Sequence, residues 1–125
     1  MIVGLHHFGI EVNDLSKAAE SYQRLGFKVF MKFSKESIGA QSIFLKKNNS
    51  GIELWKFRSK NKTTEMIKRH FAFESTDIET DLQDFLLSGF TLAMPISNGT
   101  VVKRFAYVCD SKNNYIELVE PLDEN

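Results

Sequence analysis

The sequence predicts an α+β fold in which two tandem βαβββ modules form a curved mixed sheet around a cleft. Three observations lead to this prediction: an internal repeat, the same order of strand and helix patterns in both copies, and a size typical of one compact unit. The chain has 125 residues, with 16 Lys and Arg against 16 Asp and Glu. We therefore expect a single domain over residues 1–125, made of a module at 1–57, a linker at 58–69 and a module at 70–125.

The internal repeat aligns residues 7–29 with residues 70–92 without a gap. At this offset of 63, six of 23 positions are identical, whereas composition alone would give roughly one or two. The tripeptide Ile-Glu-Leu also recurs, at 52–54 and 116–118. The identical pairs are His7 and His70, Phe8 and Phe71, Glu11 and Glu74, Asp14 and Asp77, Gly26 and Gly89, and Phe27 and Phe90.

Each copy begins with a strand and a helix. Residues 4–12 are apolar and β-branched enough for a strand, and apolar residues at helical spacing then run to Gly26, a natural helix stop. In the second copy, residues 76–79 have the pattern of a capping box and Gly89 ends the helix. Three strands should follow each helix, at 27–33, 40–46 and 51–57, and at 91–94, 101–108 and 115–119.

Composition and charge exclude several classes of function. The formal net charge of zero argues against a nucleic-acid-binding protein. No segment has the length and apolarity of a membrane span, and the first residues lack the features of a signal peptide, so we expect a cytoplasmic protein. Because Cys109 is the only cysteine, any metal must be held by histidines and carboxylates.

The alternation of side chains along the strands predicts where the polar residues point. In the first strand, Ile10 and Phe8 should lie under the helix, which turns His7 to the opposite face. The same reasoning buries Phe71 and turns His70 outward. In the strands that close each module, the outward residues are Glu53, Trp55 and Phe57, and Glu117 and Val119.

If the two modules curve around a common cleft, two histidines and two glutamates converge by pseudo-twofold symmetry. Imidazole and carboxylate ligands suit a divalent ion such as Zn, Ni, Co, Mn or Fe, with positions left open for water or substrate. The spacing does not select one of these metals.

The same residues carry a family resemblance. The segment His7–Leu15, followed by Tyr22 and Leu25–Phe27, resembles the opening of proteins of the vicinal oxygen chelate superfamily, which includes glyoxalase I, bleomycin-resistance proteins and extradiol dioxygenases. The segment 110–118 resembles the family's closing motif, with Ser111 in place of its proline and Asn113 in place of its glycine. The resemblance implies paired βαβββ modules, a homodimer, and metal ligands at His7, Glu53, His70 and Glu117.

The resemblance also implies a function: a metal-dependent lyase or isomerase of the glyoxalase type, which transfers a proton next to a carbonyl. By likeness to glyoxalase I, Glu117 is the candidate base and Glu53 a ligand or partnering base. Glutathione-dependent members carry Arg and Asn where this chain has Glu11 and Phe57, so a different small oxygenated metabolite is expected.

Three further residues are candidates for substrate binding, and two other functions stay open. Trp55 and Phe57 share the face of Glu53 and would line a pocket, and Lys103 would hold an anion. One alternative to the metal-dependent enzyme is a metal-free protein that binds an antibiotic or a metabolite. The other is an Fe(II) extradiol dioxygenase that uses two histidines and Glu117, although Glu53 would then occupy a position that its substrates need.

Overall fold

The structure, a computed structural model, describes residues 1–123, which divide into two units. One unit comprises Met1–His6 with the chain from Phe71 onward, and we call it the first unit. The second unit is His7–His70. Each unit therefore contains one copy of the sequence repeat.

The described residues form eight strands, three α-helices and one short 3₁₀ turn. The order of strand, helix and three strands occurs twice, as the repeat predicts. The elements are β1 (Ile2–Glu11), α1 (Leu15–Arg24), β2 (Lys28–Lys35), the 3₁₀ turn (Glu36–Ile38), β3 (Ala40–Lys47), β4 (Ser50–Phe57), α2 (Lys62–Ile67), β5 (Arg69–Ser75), α3 (Ile78–Leu87), β6 (Thr91–Asn98), β7 (Val102–Cys109) and β8 (Tyr115–Pro121).

In the second unit the strands are ordered β2-β3-β4-β1, and β1 runs parallel to β4 while the other pairs are antiparallel. Helix α1 covers one face of this sheet. Ala19 of the helix and Leu45 and Leu54 of the sheet are buried in one cluster, against which Ile10 packs. Each of the two leucines, which are fully buried, stabilises the fold by about 1.5–3 kcal/mol.

The first unit repeats this plan. Its strands are ordered β5-β8-β7-β6, with β5 parallel to β8. Helix α3 contributes Ile78 to a buried cluster with Ala106 and Leu118, and Phe73 packs against it. The α+β class and the two βαβββ modules are thus confirmed.

Both long helices begin at an aspartate that the repeat conserves between the two halves of the chain. The side chain of Asp14 accepts a hydrogen bond from the Lys17 backbone N–H at 3.0 Å, and Asp77 accepts one from the Thr80 backbone N–H at 3.2 Å. These bonds satisfy N–H groups that the first helical turn leaves unpaired. The Thr80 hydroxyl and the Thr80 backbone N–H, which both donate to Asp77, lower the pKa of its carboxyl. The predicted capping box at residues 76–79 would place the N-cap of α3 at Thr76. The structure places it at Asp77.

Helix α2 lies in the segment that the sequence indicated only as a polar connection. Asn61 caps it, because its side chain accepts from the Thr64 N–H at 3.0 Å while the Thr64 hydroxyl accepts from the Asn61 N–H at 2.8 Å. The helix has only six residues, too few for a periodic pattern to be recognised. Thr64, Met66 and Ile67 of this helix are buried.

The predicted burial of Phe8 and Phe71 is wrong. Their exposed fractions are 44% and 49%, whereas Ile10 and Phe73, two residues further along the same strands, pack against the core clusters. The apolar clusters under α1 and α3 thus take in the later residues of each strand. Among residues 1–123, no helix has the length and apolarity to span a membrane.

We predict that the protein forms a homodimer. Large apolar side chains are exposed in both units, among them Leu5 and Phe71 in the first and Phe8 and Phe30 in the second. Contact with a second copy would remove such surface from water. Light scattering at micromolar concentration should give twice the 14.3 kDa mass of one chain; a clean monomer mass would contradict the prediction.

Candidate metal centre

Three of the four predicted metal ligands come together within the second unit: His7, Glu53 and His70. Strand register explains how two of them meet. Strand β1 pairs with β4 so that Gly9 lies beside Glu53 and His7 lies two residues before Gly9, and residues two apart point to the same face of a strand. His70 reaches the same place from the start of β5.

The three donor atoms form a nearly equilateral triangle. The Nε2 atoms of the two histidines are 3.2 Å apart, and Oε1 of Glu53 lies 3.6 Å from each of them. The centre of such a triangle is about 2.0 Å from each corner, which is the length of a bond from zinc to imidazole nitrogen or carboxylate oxygen. All three side chains are buried. The donor set and its spacing therefore fit a small divalent ion.

The backbone sets the tautomer of His70. Its Nδ1 lies 2.8 Å from the carbonyl oxygen of Ile67, the last residue of α2. Because a carbonyl only accepts, Nδ1 carries the proton and donates it, which leaves the lone pair on Nε2. A second hydrogen bond of this kind is the usual way in which proteins orient a metal-binding histidine. The end of α2 thereby aims His70 at the triangle.

Trp55 fixes the carboxylate of Glu53. The indole Nε1 donates a hydrogen bond of 2.8 Å to Oε1, the same oxygen that faces the two histidines. Both residues are buried, with exposed fractions of 2% and 4%. A buried carboxylate without such partners would be strongly disfavoured.

Gly9 and Phe44 shape the space around the imidazoles. The His70 ring lies over Gly9 so closely that a methyl group on residue 9 would overlap it. The rings of His7 and Phe44 pack edge to face, with centroids 5.2 Å apart and an interplanar angle of 77°. Packing on these sides restricts the orientation of both histidines.

Glu117, the fourth predicted ligand, belongs to the first unit. It lies on β8 between Ala72 of β5 and Tyr107 of β7, and its side chain is buried. Glu53 has the corresponding place in its own unit, between Gly9 and Phe44. The repeat therefore puts the two glutamates at equivalent positions of the two sheets. A role of Glu117 at a metal or as a base stays a prediction.

The residues predicted to bind substrate have varied surroundings. Glu11 is exposed at the end of β1, directly beside Trp55 in the sheet. Phe57 is half-buried and stacks on Trp55, with centroids 5.9 Å apart and an angle of 7°. Lys103 is exposed on β7 of the first unit. Substrate contact by any of them stays a prediction.

Sequence reasoning missed two residues that orient the histidines, Gly9 and Ile67. The sequence does contain a signal for Gly9, because the repeat aligns it with Ala72, a residue larger by one methyl group. No sequence signal marks Ile67, because it acts through its backbone carbonyl.

Several solved structures are similar to this chain. The methylmalonyl-CoA epimerase of Mycobacterium tuberculosis is 24% identical, with a TM-score of 0.80 and coverage of 98% of this chain and 90% of that one. The Streptomyces coelicolor methylmalonyl-CoA epimerase in complex with 2-nitronate-propionyl-CoA is 23% identical, with a TM-score of 0.82 and coverage of 98% and 100%. A hypothetical protein from Bacillus halodurans is 21% identical, with a TM-score of 0.79 and coverage of 97% and 96%. These likenesses show a shared fold.

A family profile settles the relationship that the strand signature had suggested. No curated protein sequence matches the chain. The profile of the Glyoxalase/Bleomycin resistance protein/Dioxygenase superfamily matches residues 6–107, which include His7, Glu53 and His70. The chain belongs to this superfamily.

Proposed function

We propose that the protein is a metal-dependent isomerase that transfers a proton next to the carbonyl group of a small oxygenated substrate. The observation that carries the proposal is the buried triangle of His7, Glu53 and His70, with donor atoms 3.2–3.6 Å apart. The structural neighbours that are methylmalonyl-CoA epimerases favour an isomerase and a coenzyme A thioester as substrate.

Nε2 of His7, Nε2 of His70 and the carboxylate of Glu53 would hold the ion. A bound divalent ion would polarise the substrate carbonyl and stabilise the negative charge that develops on its oxygen. The three side chains supply two neutral nitrogens and one negative oxygen, which suits Zn, Ni, Co, Mn or Fe(II). Three protein donors leave room for substrate oxygen and water around a four- to six-coordinate ion.

Glu117 is the proposed base. It would accept the proton from the carbon next to the carbonyl. The isomer would form when the resulting enolate regains a proton, from Glu117 at the neighbouring carbon or from solvent on the opposite face of the same carbon. Glu53 and Glu117 were both candidates from the sequence, and the contacts of Glu53 with Trp55 and the two histidines favour Glu53 as the ligand.

Glutathione is an unsuitable substrate. Glu11 stands where glutathione-dependent members of the superfamily carry an arginine, and it is exposed. A carboxylate there would repel the carboxylates of the tripeptide, whereas an arginine would attract them.

A second function is favoured by one observation. Two histidines and one carboxylate are also the donors of many non-haem Fe(II) oxygenases, and His7, Glu53 and His70 provide that set. An extradiol dioxygenase would consume oxygen with a catechol, whereas an isomerase would not.

A metal-free binding protein, which the stacked Trp55 and Phe57 would suit, would keep its ligand affinity after treatment with a chelator.

Proton exchange in D₂O tests the proposed reaction and its base. The metal-loaded protein should exchange the hydrogen at the carbon between the two carbonyls of methylmalonyl-CoA, as followed by NMR, and should be nearly inactive on the hemithioacetal of methylglyoxal and glutathione. Glu117→Gln should lower the exchange rate by roughly 100-fold or more, because the amide cannot accept the proton. The control Glu20→Gln changes an exposed carboxylate on α1 and should leave the rate unchanged. Full activity of metal-loaded Glu117→Gln would remove Glu117 from this role.

A glycine substitution tests the geometry of the centre. Gly9→Ala should weaken Zn²⁺ or Co²⁺ binding at least about 10-fold in calorimetry, because the added methyl displaces His70. The matched control is Ala72→Gly, which makes the converse change at the equivalent position of the first unit and should retain the affinity of the unmodified chain. Circular dichroism verifies that both variants fold. Unchanged metal affinity in a folded Gly9→Ala protein would show that His70 is not a ligand.

A further inference from the structure

We infer that Trp55 is a positioning residue, whose indole N–H holds the carboxylate of Glu53 in the orientation that binds metal. The inference rests on the proposed function, since it concerns the same centre. It adds the group that distinguishes Glu53 from the glutamate at the equivalent place in the other half of the chain.

The contact is direct and buried. Nε1 of Trp55 is 2.8 Å from Oε1 of Glu53, and this oxygen is the atom that lies 3.6 Å from Nε2 of both histidines. An indole N–H donates and never accepts, so it can pair only with the carboxylate's lone pairs. Hydrogen bonds to a charged acceptor are among the stronger ones in proteins. The bond therefore opposes rotation of the carboxylate away from the histidines.

The indole is itself held in place. The rings of Phe33 and Trp55 pack edge to face, with centroids 5.4 Å apart and an interplanar angle of 88°. Phe57 stacks on Trp55, and Nζ of Lys35 lies 5.9 Å from its ring centroid. Aromatic and cation–π contacts of this kind stabilise a ring beyond the effect of its burial. With the ring fixed, the direction of its N–H is fixed.

The repeat shows that a tryptophan two residues after the glutamate occurs in only one half of the chain. Glu53 corresponds to Glu117, and the residue two positions later is Trp55 in one half and Val119 in the other. Valine supplies no donor from that position. The two glutamates, which occupy equivalent places on β4 and β8, therefore have different neighbours. This difference supports separate roles, with Glu53 as a fixed ligand.

Trp55 also provides the measurement, because it is the only tryptophan in the chain. Its indole donates to the carboxylate that would bind the ion, so metal binding should change its emission. The full-length protein is titrated with Co²⁺ while tryptophan emission is recorded, and calorimetry measures the affinity. Emission should fall in step with binding, and His70→Ala should abolish both signals.

Two replacements remove the N–H. Trp55→Phe deletes it together with part of the ring, and biosynthetic replacement of Trp55 by β-(3-benzothienyl)alanine deletes it while the shape of the ring is kept. Both should weaken Co²⁺ binding by about 10- to 100-fold in calorimetry, the usual effect of losing a partner of a metal ligand. Phe33→Leu removes one of the contacts that hold the ring but keeps the N–H, so its Co²⁺ affinity should fall by no more than about threefold, less than in the two proteins without the N–H.

The outcomes separate this inference from the proposed function. Co²⁺ affinity that is unchanged in the benzothienyl protein would overturn the role of Trp55 and leave the metal centre standing. Equal losses in the benzothienyl and Phe33→Leu proteins would also overturn it, since packing and not the N–H would then be responsible. Absence of Co²⁺ binding in the unmodified protein would overturn the proposed function and this inference together.

Discussion

A buried carboxylate beside two imidazoles is the arrangement on which the second unit depends. Removing a carboxylate from water costs several kcal/mol unless partners compensate for the lost hydration. Here Glu53 receives a hydrogen bond from Trp55 and faces Nε2 of His7 and of His70. A divalent ion would supply the remaining positive charge. The close approach of a histidine to Gly9, and the hydrogen bond at the end of α2, serve to keep this group of donors converged.

The duplicated sequence explains both the symmetry of the fold and the asymmetry of its chemistry. Equivalent strands carry His7 and His70, and equivalent strands carry Glu53 and Glu117. Their neighbours have diverged, however, and each change alters a physical property. A glycine that admits an imidazole corresponds to an alanine, and an indole donor corresponds to a valine. Under the proposed function, these differences would give the two similar halves distinct roles. The differing pairs are Gly9 and Ala72, Phe44 and Tyr107, and Trp55 and Val119.

The repeat and the side-chain alternation predicted the two modules, the long helices and the shared face of His7, Glu53 and Trp55, because these depend on local periodicity. They did not predict α2, whose six residues are too few for a pattern, nor the backbone carbonyl that orients His70. They also misjudged Phe8, since strand alternation gives the face of a residue but not how far a helix extends over it. Three of the four predicted ligands meet in the structure, and the distances between their atoms could come only from tertiary packing.

Anomalous diffraction from crystals grown with Zn²⁺ or Co²⁺ tests the central claim most directly. Data collected on both sides of the metal's absorption edge locate the ion without reference to activity. The account predicts one strong anomalous peak per chain, bonded to Nε2 of His7, Nε2 of His70 and the carboxylate of Glu53 at about 2.0–2.2 Å. A fully occupied peak bound elsewhere, or no peak at this triangle under saturating metal, would contradict it.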